Sequence, residues 1–214
     1  MPNPTDTKIE LACDCGKLRG HALNISPRTG NHIICMCKDC QAFARFLERQ
    51  DTILNANGGT EIFQITPSQI KLETGLEHLS AMRLSPKGTI RWYASCCNTP
   101  IANTTPSSAI PFAGVFCNFI KTRDGQSKER ALGPVKTQFF ARDGYGNIPP
   151  EAQHKITPGH ILKTLAGLIR DKIKGKNKPS PFFNPDKSMV TEPTILSKDQ
   201  RDQFTPGLGE TSTA

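Results

Sequence analysis

Seven of the eight cysteines in this 214-residue chain fall into three short clusters, and this feature limits the available folds most. The clusters are Cys13 with Cys15, then Cys35, Cys37 and Cys40, and finally Cys96 with Cys97, while Cys117 stands apart. The first residues lack a basic stretch followed by an apolar core, so we expect no secretory signal and predict a cytoplasmic, reducing setting. In that setting, clustered cysteines indicate metal ligands rather than disulfides.

The seven clustered thiols can supply two zinc sites, since zinc in proteins takes four ligands in a tetrahedron. Cys35, Cys37 and Cys40 lie within one hexapeptide, "CMCKDC", and can bind one ion together. The pairs at 13–15 and 96–97 would then hold a second ion and tie two distant segments together, as a structural zinc does. The hexapeptide site is left without a fourth thiol, which is the arrangement of a catalytic zinc with one open position.

Other assignments of these ligands are open. The hexapeptide becomes a second closed structural site if Cys117, a histidine or a carboxylate supplies the fourth ligand. Adjacent thiols rarely both bind one metal, so one of Cys96 and Cys97 can instead be a packed or free thiol. Aromatic neighbours favour Cys117 as a buried core residue. None of the five histidines is spaced from another as a pair of metal ligands would be.

Composition and patterning predict a mainly β fold. Hydrophobic residues make up only 36% of the chain, whereas glycine and proline contribute 17 residues each, which favours strands and loops over a helical bundle. Short β-prone segments separated by turn residues continue to about residue 120, with cysteines at the strand ends. The segment 41–50 is ambiguous between a short helix and a strand. We therefore predict a zinc-binding β-domain over residues 1–120.

We predict a C-terminal extension at 121–204 and a flexible tail at 205–214. The clearest element of the extension is an amphipathic helix at about 158–174, capped by Thr157, whose apolar stripe is expected to pack on the β-domain. The net charge of +8 is uneven, with +2 over residues 1–120 and +6 beyond them. Lysines crowd the helix, but Asp171 and the scarcity of aromatics dilute any binding face. Neither a membrane nor a nucleic-acid partner is therefore favoured.

Three motifs, in this order, resemble the glutathione-dependent formaldehyde-activating enzyme family, which also includes centromere protein V. They are "CDCG" at 13–16, "CMCKDC" at 35–40 and "RWYASCCNTPI" at 91–101, and the likeness covers roughly residues 10–105. The resemblance implies a β-tent fold, with two small antiparallel sheets over the metals. It implies a structural zinc held by Cys13, Cys15 and Cys97, and a second zinc at the hexapeptide whose open position meets water or a substrate thiol. The implied activity is a zinc-dependent carbon–sulfur lyase acting on a small thiol or thiol adduct, such as a glutathione conjugate.

The chain departs from the family pattern within two of these motifs. Met36 stands where relatives usually carry a histidine. In the closing motif Ala94 replaces a cysteine and Asn98 replaces a glycine, while Cys96 is added beside Cys97. The structural zinc must therefore take Cys96, Cys117 or another group as its fourth ligand.

Two functions are consistent with this pattern. In the first, the hexapeptide zinc acts as a Lewis acid in a thiol-adduct enzyme. Lys38 inside the hexapeptide and Arg45 just after it can meet a substrate carboxylate, although solvated surface charge is the more common role for both, and no general base is evident. The alternative is a non-catalytic, zinc-stapled binding or scaffold module whose basic C-terminal half contacts an acidic partner. The coordination of the second metal separates the two, because an open position favours the enzyme and a closed four-ligand shell favours the scaffold.

Overall fold

The fold is mainly β and contains two sheets, as the sequence predicts. We describe it from a computed structural model, in which residues 8–122 and 128–207 are described. Of the tail predicted at 205–214, residues 208–214 therefore lie outside the described part. Within that part, no helix combines the length and the apolar character needed to cross a bilayer.

The described residues form twelve strands. They are β1 (Ile9–Ala12), β2 (Arg19–Ala22), β3 (Asn31–Cys35), β4 (Thr60–Ile65), β5 (Ile70–Thr74), β6 (Leu79–Arg83), β7 (Ile90–Ala94), β8 (Thr99–Thr104), β9 (Ala113–Phe116), β10 (Ile120–Lys121), β11 (Thr137–Phe139) and β12 (Thr194–Ile195). The helices are α1 (Lys38–Phe46), α2 (Gln50–Ile53), α3 (Lys128–Leu132), α4 (Pro158–Ile173) and α5 (Lys198–Phe204). Three single turns of 3₁₀-helix lie at Pro67–Gln69, Leu76–His78 and Ala141–Asp143.

The smaller sheet has four antiparallel strands in the order β10-β1-β2-β5. The larger sheet has eight strands in the order β11-β3-β4-β9-β8-β7-β6-β12. Its six central strands pair antiparallel, whereas β11 on β3 and β12 on β6 pair parallel. The larger sheet is therefore wider than the resemblance implies, because segments beyond residue 120 extend both of its edges.

The main core joins inward-facing residues of both sheets. The chain's one tryptophan, Trp92 of β7, is fully buried there, with the ring of Phe182 stacked at 4.9 Å between centroids. A second cluster joins α1 to the larger sheet, where Phe43 contacts Phe116 of β9. The ambiguous segment at 41–50 is thus helical in its first part, because Phe43 and Leu47, four residues apart, share one buried face.

The C-terminal residues belong to these same sheets and cores. Phe182 fills the main core, and β11 and β12 supply the outer strands of the larger sheet. The boundary between a β-domain and an extension at residue 120 stays a prediction.

Helix α4 has the predicted bounds but not the expected environment. Thr157 caps it, accepting a hydrogen bond from the backbone N–H of His160 at 3.4 Å, and Pro158 occupies the first helical position. Although its apolar stripe was expected to pack on the β-domain, none of its residues is buried. Leu162 and Ile173 remain 70% and 81% exposed.

Candidate metal centres

The first candidate centre lies where two turns meet at one end of the two sheets. Cys13 and Cys15 sit on the tight turn between β1 and β2, in which the backbone N–H of Gly16 donates to the carbonyl of Cys13 at 2.9 Å. Cys96 and Cys97 sit on the turn between β7 and β8. The centre therefore joins a turn of the smaller sheet to a turn of the larger one.

The four sulfur atoms of this centre are spaced to hold one metal ion. They all lie within 4.8 Å of one another. Cys15 and Cys96 are 3.3 Å apart, Cys13 is 3.5 Å from Cys15 and 3.8 Å from Cys96, and Cys96 is 3.8 Å from Cys97. A tetrahedral ion with metal–sulfur bonds of about 2.3 Å separates its ligands by about 3.8 Å. All eight cysteines are free thiols, so the cluster is not a pair of disulfides.

Neighbouring hydrogen-bond donors favour thiolate in this centre. The hydroxyl of Thr99 lies 3.1 Å from the sulfur of Cys97 and accepts a hydrogen bond from the backbone N–H of Asp14, which leaves its proton for the sulfur. Burial acts to raise the pKa of Cys97, but donation from Thr99 and from the backbone of Cys15 outweighs it and lowers the pKa to about 6. The backbone N–H of Leu18 donates to the sulfur of Cys13 at 3.3 Å. Cys97 thus already favours the thiolate, whereas burial raises the pKa of Cys13 and of Cys96.

The structure resolves how the altered closing motif is accommodated. Cys96 joins the cluster, and so does Cys97, so neither of the adjacent thiols lies apart from it. Asn98 adopts the left-handed backbone conformation with φ of 54°, which asparagine and glycine tolerate better than other residues, so asparagine fits where the motif that this segment resembles has glycine. Cys117 is fully buried among core residues, as its aromatic neighbours predict.

A third polar group contains Cys117, His32 and Glu61. We interpret it as an ion pair between His32 and Glu61, with Cys117 beside it. Nε2 of His32 lies 2.7 Å from the carboxylate of Glu61, and Nδ1 lies 2.7 Å from the carbonyl oxygen of Gly133. Burial acts to lower the pKa of His32, but these two hydrogen bonds outweigh it and the pKa is raised. Both ring nitrogens therefore donate, and neither offers a lone pair to a metal. Metal ligands of this type would also stand about 3.3 Å apart rather than 2.7 Å.

The second candidate centre lies where β3 leads into α1. Cys35 is the last residue of β3, Cys37 caps α1, and Cys40 lies in the first turn of that helix. Their sulfurs lie within 4.8 Å of one another, with Cys35 and Cys37 at 3.4 Å. The helix N-terminus favours negative charge at this point. The described residues add no fourth histidine, cysteine or carboxylate to this group.

A pocket of about 440 Å³ opens directly onto the three thiols. Its wall includes eight large apolar side chains: Ile33, Ile62, Phe112, Phe139, Phe140, Ile156, Ile161 and Leu165. Helix α4 forms part of this wall, with the ring of His160 set edge-on to Phe139 at 4.8 Å between centroids. The partly exposed helix thus covers the second centre instead of packing flat on the sheet.

Arg91 of β7 places a buried positive charge beside the three thiols. Arg91 is 4% exposed and lines the pocket. Its guanidinium donates a hydrogen bond to the side-chain oxygen of Asn103 at 3.4 Å. Within residues 8–122 and 128–207, Arg91 forms no ion pair with a carboxylate. A buried cation needs a compensating anion, and the thiols are the groups available to supply it.

The thiols of the second centre share a negative charge next to Arg91. Hydrogen bonds from Cys35 and Cys37 hold the pKa of Cys40 well below its ordinary value, and the Arg91 guanidinium lowers it further against the effect of burial. Hydrogen bonds with Cys37 and Cys40, together with burial, raise the pKa of Cys35 well above its ordinary value. A divalent ion would replace the protons that remain, as metal binding to thiols does.

Two cations predicted near the second centre do not line its pocket. Lys38 is exposed, and Arg45 lies near the far end of α1. Met36, in the position where the motif that it resembles usually has histidine, is fully buried in a separate cluster with Ala141 and Ala152.

Sequence reasoning missed Arg91 and Asn103 as pocket residues. A signal was present, because Arg91 is a charged residue between Ile90 and Trp92 in an apolar strand. It missed His160 as well, because helical periodicity does not tell which surface a helix will cover.

The comparisons with known proteins give a family but not an activity. Residues 6–192 match the family model DUF6151, described as a family of unknown function, and the matched range includes both candidate centres and α4. No curated protein matches the chain. Because the match covers most of the sequence, the chain belongs to the DUF6151 family of unknown function.

Proposed function

We propose that this protein binds two zinc ions, a structural one at Cys13, Cys15, Cys96 and Cys97 and a reactive one at Cys35, Cys37 and Cys40. We further propose that the second site serves a carbon–sulfur lyase or thiol-adduct reaction. The proposal rests on the pocket of about 440 Å³, whose lining includes the three clustered thiols. Such a site leaves one coordination position facing a space that a small molecule can fill.

The donor sets favour zinc among the common metals. Soft thiolate ligands in a tetrahedral arrangement select zinc or iron, and hard cations such as magnesium prefer oxygen ligands. When bound in a three-thiolate site, zinc supplies Lewis acidity and keeps a fourth, exogenous thiol deprotonated near neutral pH. Iron in a four-thiolate site is coloured and zinc is colourless, so the purified protein distinguishes them by its visible spectrum.

The chain's own residues give the second site its remaining properties. Arg91 offsets the negative charge of the thiolates, and Asn103 accepts a hydrogen bond that orients its guanidinium. The apolar wall gives the space around the thiols little polar surface. The imidazole of His160 lines the same pocket and can accept or donate a proton there. His160 is therefore our candidate for the general-base role, for which the sequence gives no evident residue.

A second candidate, the zinc-stapled binding module, is favoured by the surface of α4. Ile161, Leu165 and Ile169 are 48%, 50% and 60% exposed, and lysines and arginine share the helix with them. Exposed apolar side chains rimmed by charge are typical of binding surfaces. In this alternative, both zinc ions are structural and the pocket is closed by a partner.

Metal content and thiol titration test the proposal. Elemental analysis should give about two zinc ions per chain, and cobalt substituted at the second site should change its visible absorption when thiols and small aldehydes are added. The matched control is Cys37→Ser, which should abolish the thiol response and leave the first ion in place. Two zinc ions per chain, with a cobalt spectrum that ignores every thiol, would reject the enzyme and leave the binding module. One zinc ion per chain would reject the second metal site and both functions that include it.

A further inference from the structure

The pocket at the second centre contains very little charge for its size. Apart from the cysteines, its titratable lining residues are Arg91, Asp39 and His160. The Asp39 carboxylate is already paired with Arg201 at 2.8 Å. The rest of the wall is mainly aliphatic and aromatic. A ligand of this pocket is therefore recognised chiefly by apolar contact.

Arg91, the buried cation among the described residues that line the pocket, is not available to a ligand. It lies beside the three thiols in the pocket lining, and its guanidinium donates to the side-chain oxygen of Asn103. Three thiolates and a divalent ion carry one net negative charge, which the single positive charge of Arg91 balances. A ligand that brought a carboxylate into the pocket would leave that carboxylate without a partner, at a high desolvation cost.

Size alone would not exclude a hydrophilic thiol such as glutathione. The volume of about 440 Å³ lies within the range of about 300–1,000 Å³ typical of pockets for small ligands. Glutathione, however, carries two carboxylates and an ammonium group, and the pocket offers them no free cation and only a carboxylate that is already paired. Charge, not volume, therefore decides which thiols the pocket accepts.

From these observations we propose that the pocket binds a thiol or thiol adduct whose body is uncharged and apolar, aliphatic or aromatic, in preference to glutathione. This inference rests on the proposed function, since it takes the ligand's sulfur to occupy the open position at Cys35, Cys37 and Cys40. The sulfur end lies at the thiols, and the body lies against the wall that α4 completes with Ile161 and Leu165.

Helix α4 offers a matched pair of positions for a test. Leu165 lines the pocket, whereas Leu162 on the same helix does not. Both are exposed enough, at 50% and 70%, for a polar substitution to leave the fold intact. Leu165→Asp places a carboxylate in the apolar wall, and Leu162→Asp makes the same change of charge on the outside of the helix.

The experiment titrates the cobalt-substituted full-length protein with 2-phenylethanethiol and with glutathione, following the visible absorption of the metal and, in parallel, the heat of binding. We expect the aromatic thiol to bind at least tenfold more tightly than glutathione. Leu165→Asp should weaken its binding tenfold or more, and Leu162→Asp should change it less than twofold.

The outcomes distinguish a failure of this inference from a failure of the proposed function. Glutathione binding as tightly as the aromatic thiol would overturn the inference and leave the proposed function standing. Equal effects of the two helix substitutions would also overturn it, because the body of the ligand would then not lie against Leu165. A spectrum that responds to neither thiol would reject the proposed function itself, and the inference with it.

Discussion

The two centres should differ sharply in what they contribute to stability. The first joins turns of two sheets, whereas the second lies within a single hexapeptide. We compare Cys15→Ser with Cys37→Ser, since each removes one ligand and each cysteine is the most exposed of its group. Each variant should lose about one zinc ion per chain. Only the first should lose a cross-link between distant parts of the fold.

The expected difference follows from chain entropy. Cys13 and Cys96 are 83 positions apart, and closing a loop of that length restricts the unfolded chain by about 4.5 kcal/mol at 25 °C. The same relation gives only about 2 kcal/mol for Cys35 and Cys40, which are five positions apart. We therefore expect Cys15→Ser to lower the free energy of unfolding by about 2.5 kcal/mol more than Cys37→Ser does.

Urea unfolding followed by the fluorescence of Trp92 measures this difference. The chain has one tryptophan, and it is fully buried in the core between the sheets, so its emission reports global unfolding. With a slope of about 2–3 kcal/mol per molar urea, the midpoints of the two variants should differ by about 1 M. With a strong chelator present, the wild type and both variants should converge, because all three have then lost the metal cross-link.

Two results would refute this reasoning. A Cys37→Ser variant as unstable as Cys15→Ser would mean that the second centre also holds distant parts of the fold together. A difference that persisted in chelator would mean that the serine itself, and not the lost metal, destabilises the first centre.

Three further perturbations test other features of the structure. Arg91→Met should weaken zinc binding at the second centre by about 10- to 100-fold in chelator competition, because the thiolates lose their balancing charge. An unchanged zinc affinity would show that Arg91 does not contribute to metal binding at this centre. The pKa of His32 is raised and that of Glu61 is lowered. Their ion pair therefore stabilises the fold fully between the ordinary pKa values, 4.5 for Glu61 and 6.5 for His32. This stabilisation is lost as pH rises through the raised pKa of His32 or falls through the lowered pKa of Glu61. Glu61→Gln should therefore lower the free energy of unfolding by about 1 kcal/mol near pH 6, since Glu61 is partly exposed, and by less at pH 9. A loss of stability that does not change with pH in urea unfolding would contradict the ion pair. Phe182→Ala should destabilise by about 3–5 kcal/mol in the same assay, and a cost below about 1 kcal/mol would show that the C-terminal part does not belong to the core.

The sequence predicts the local features of this protein well. The three cysteine clusters, the mainly β class and α4 with its Thr157 cap all depend on spacing, composition or periodicity within short windows. Cys96 could be named as a candidate fourth ligand for the same reason, since it stands beside Cys97 in the motif.

The features that the sequence does not predict depend on contacts between distant segments. Strands β11 and β12 have only three and two residues, too few for any alternation to be recognised. The position of Arg91 next to Cys40 requires β7 and α1 to meet, which no local pattern encodes. The apolar stripe of α4 predicts that one face is apolar, but whether that face is buried depends on what lies beneath it, and in this protein it is a pocket.

The parallel outer strands of the larger sheet have a consequence for aggregation during synthesis. Strands β3 and β6 would form the two edges of the sheet without β11 and β12, and each would present a row of unpaired backbone N–H and C=O groups. Such edges are templates for pairing between copies and hence for aggregation. The ribosome delivers the two protective strands late, so the nascent β-sheet passes through a stage with both edges open. A chain shortened to residue 121 would keep all seven clustered cysteines and remain permanently at that stage.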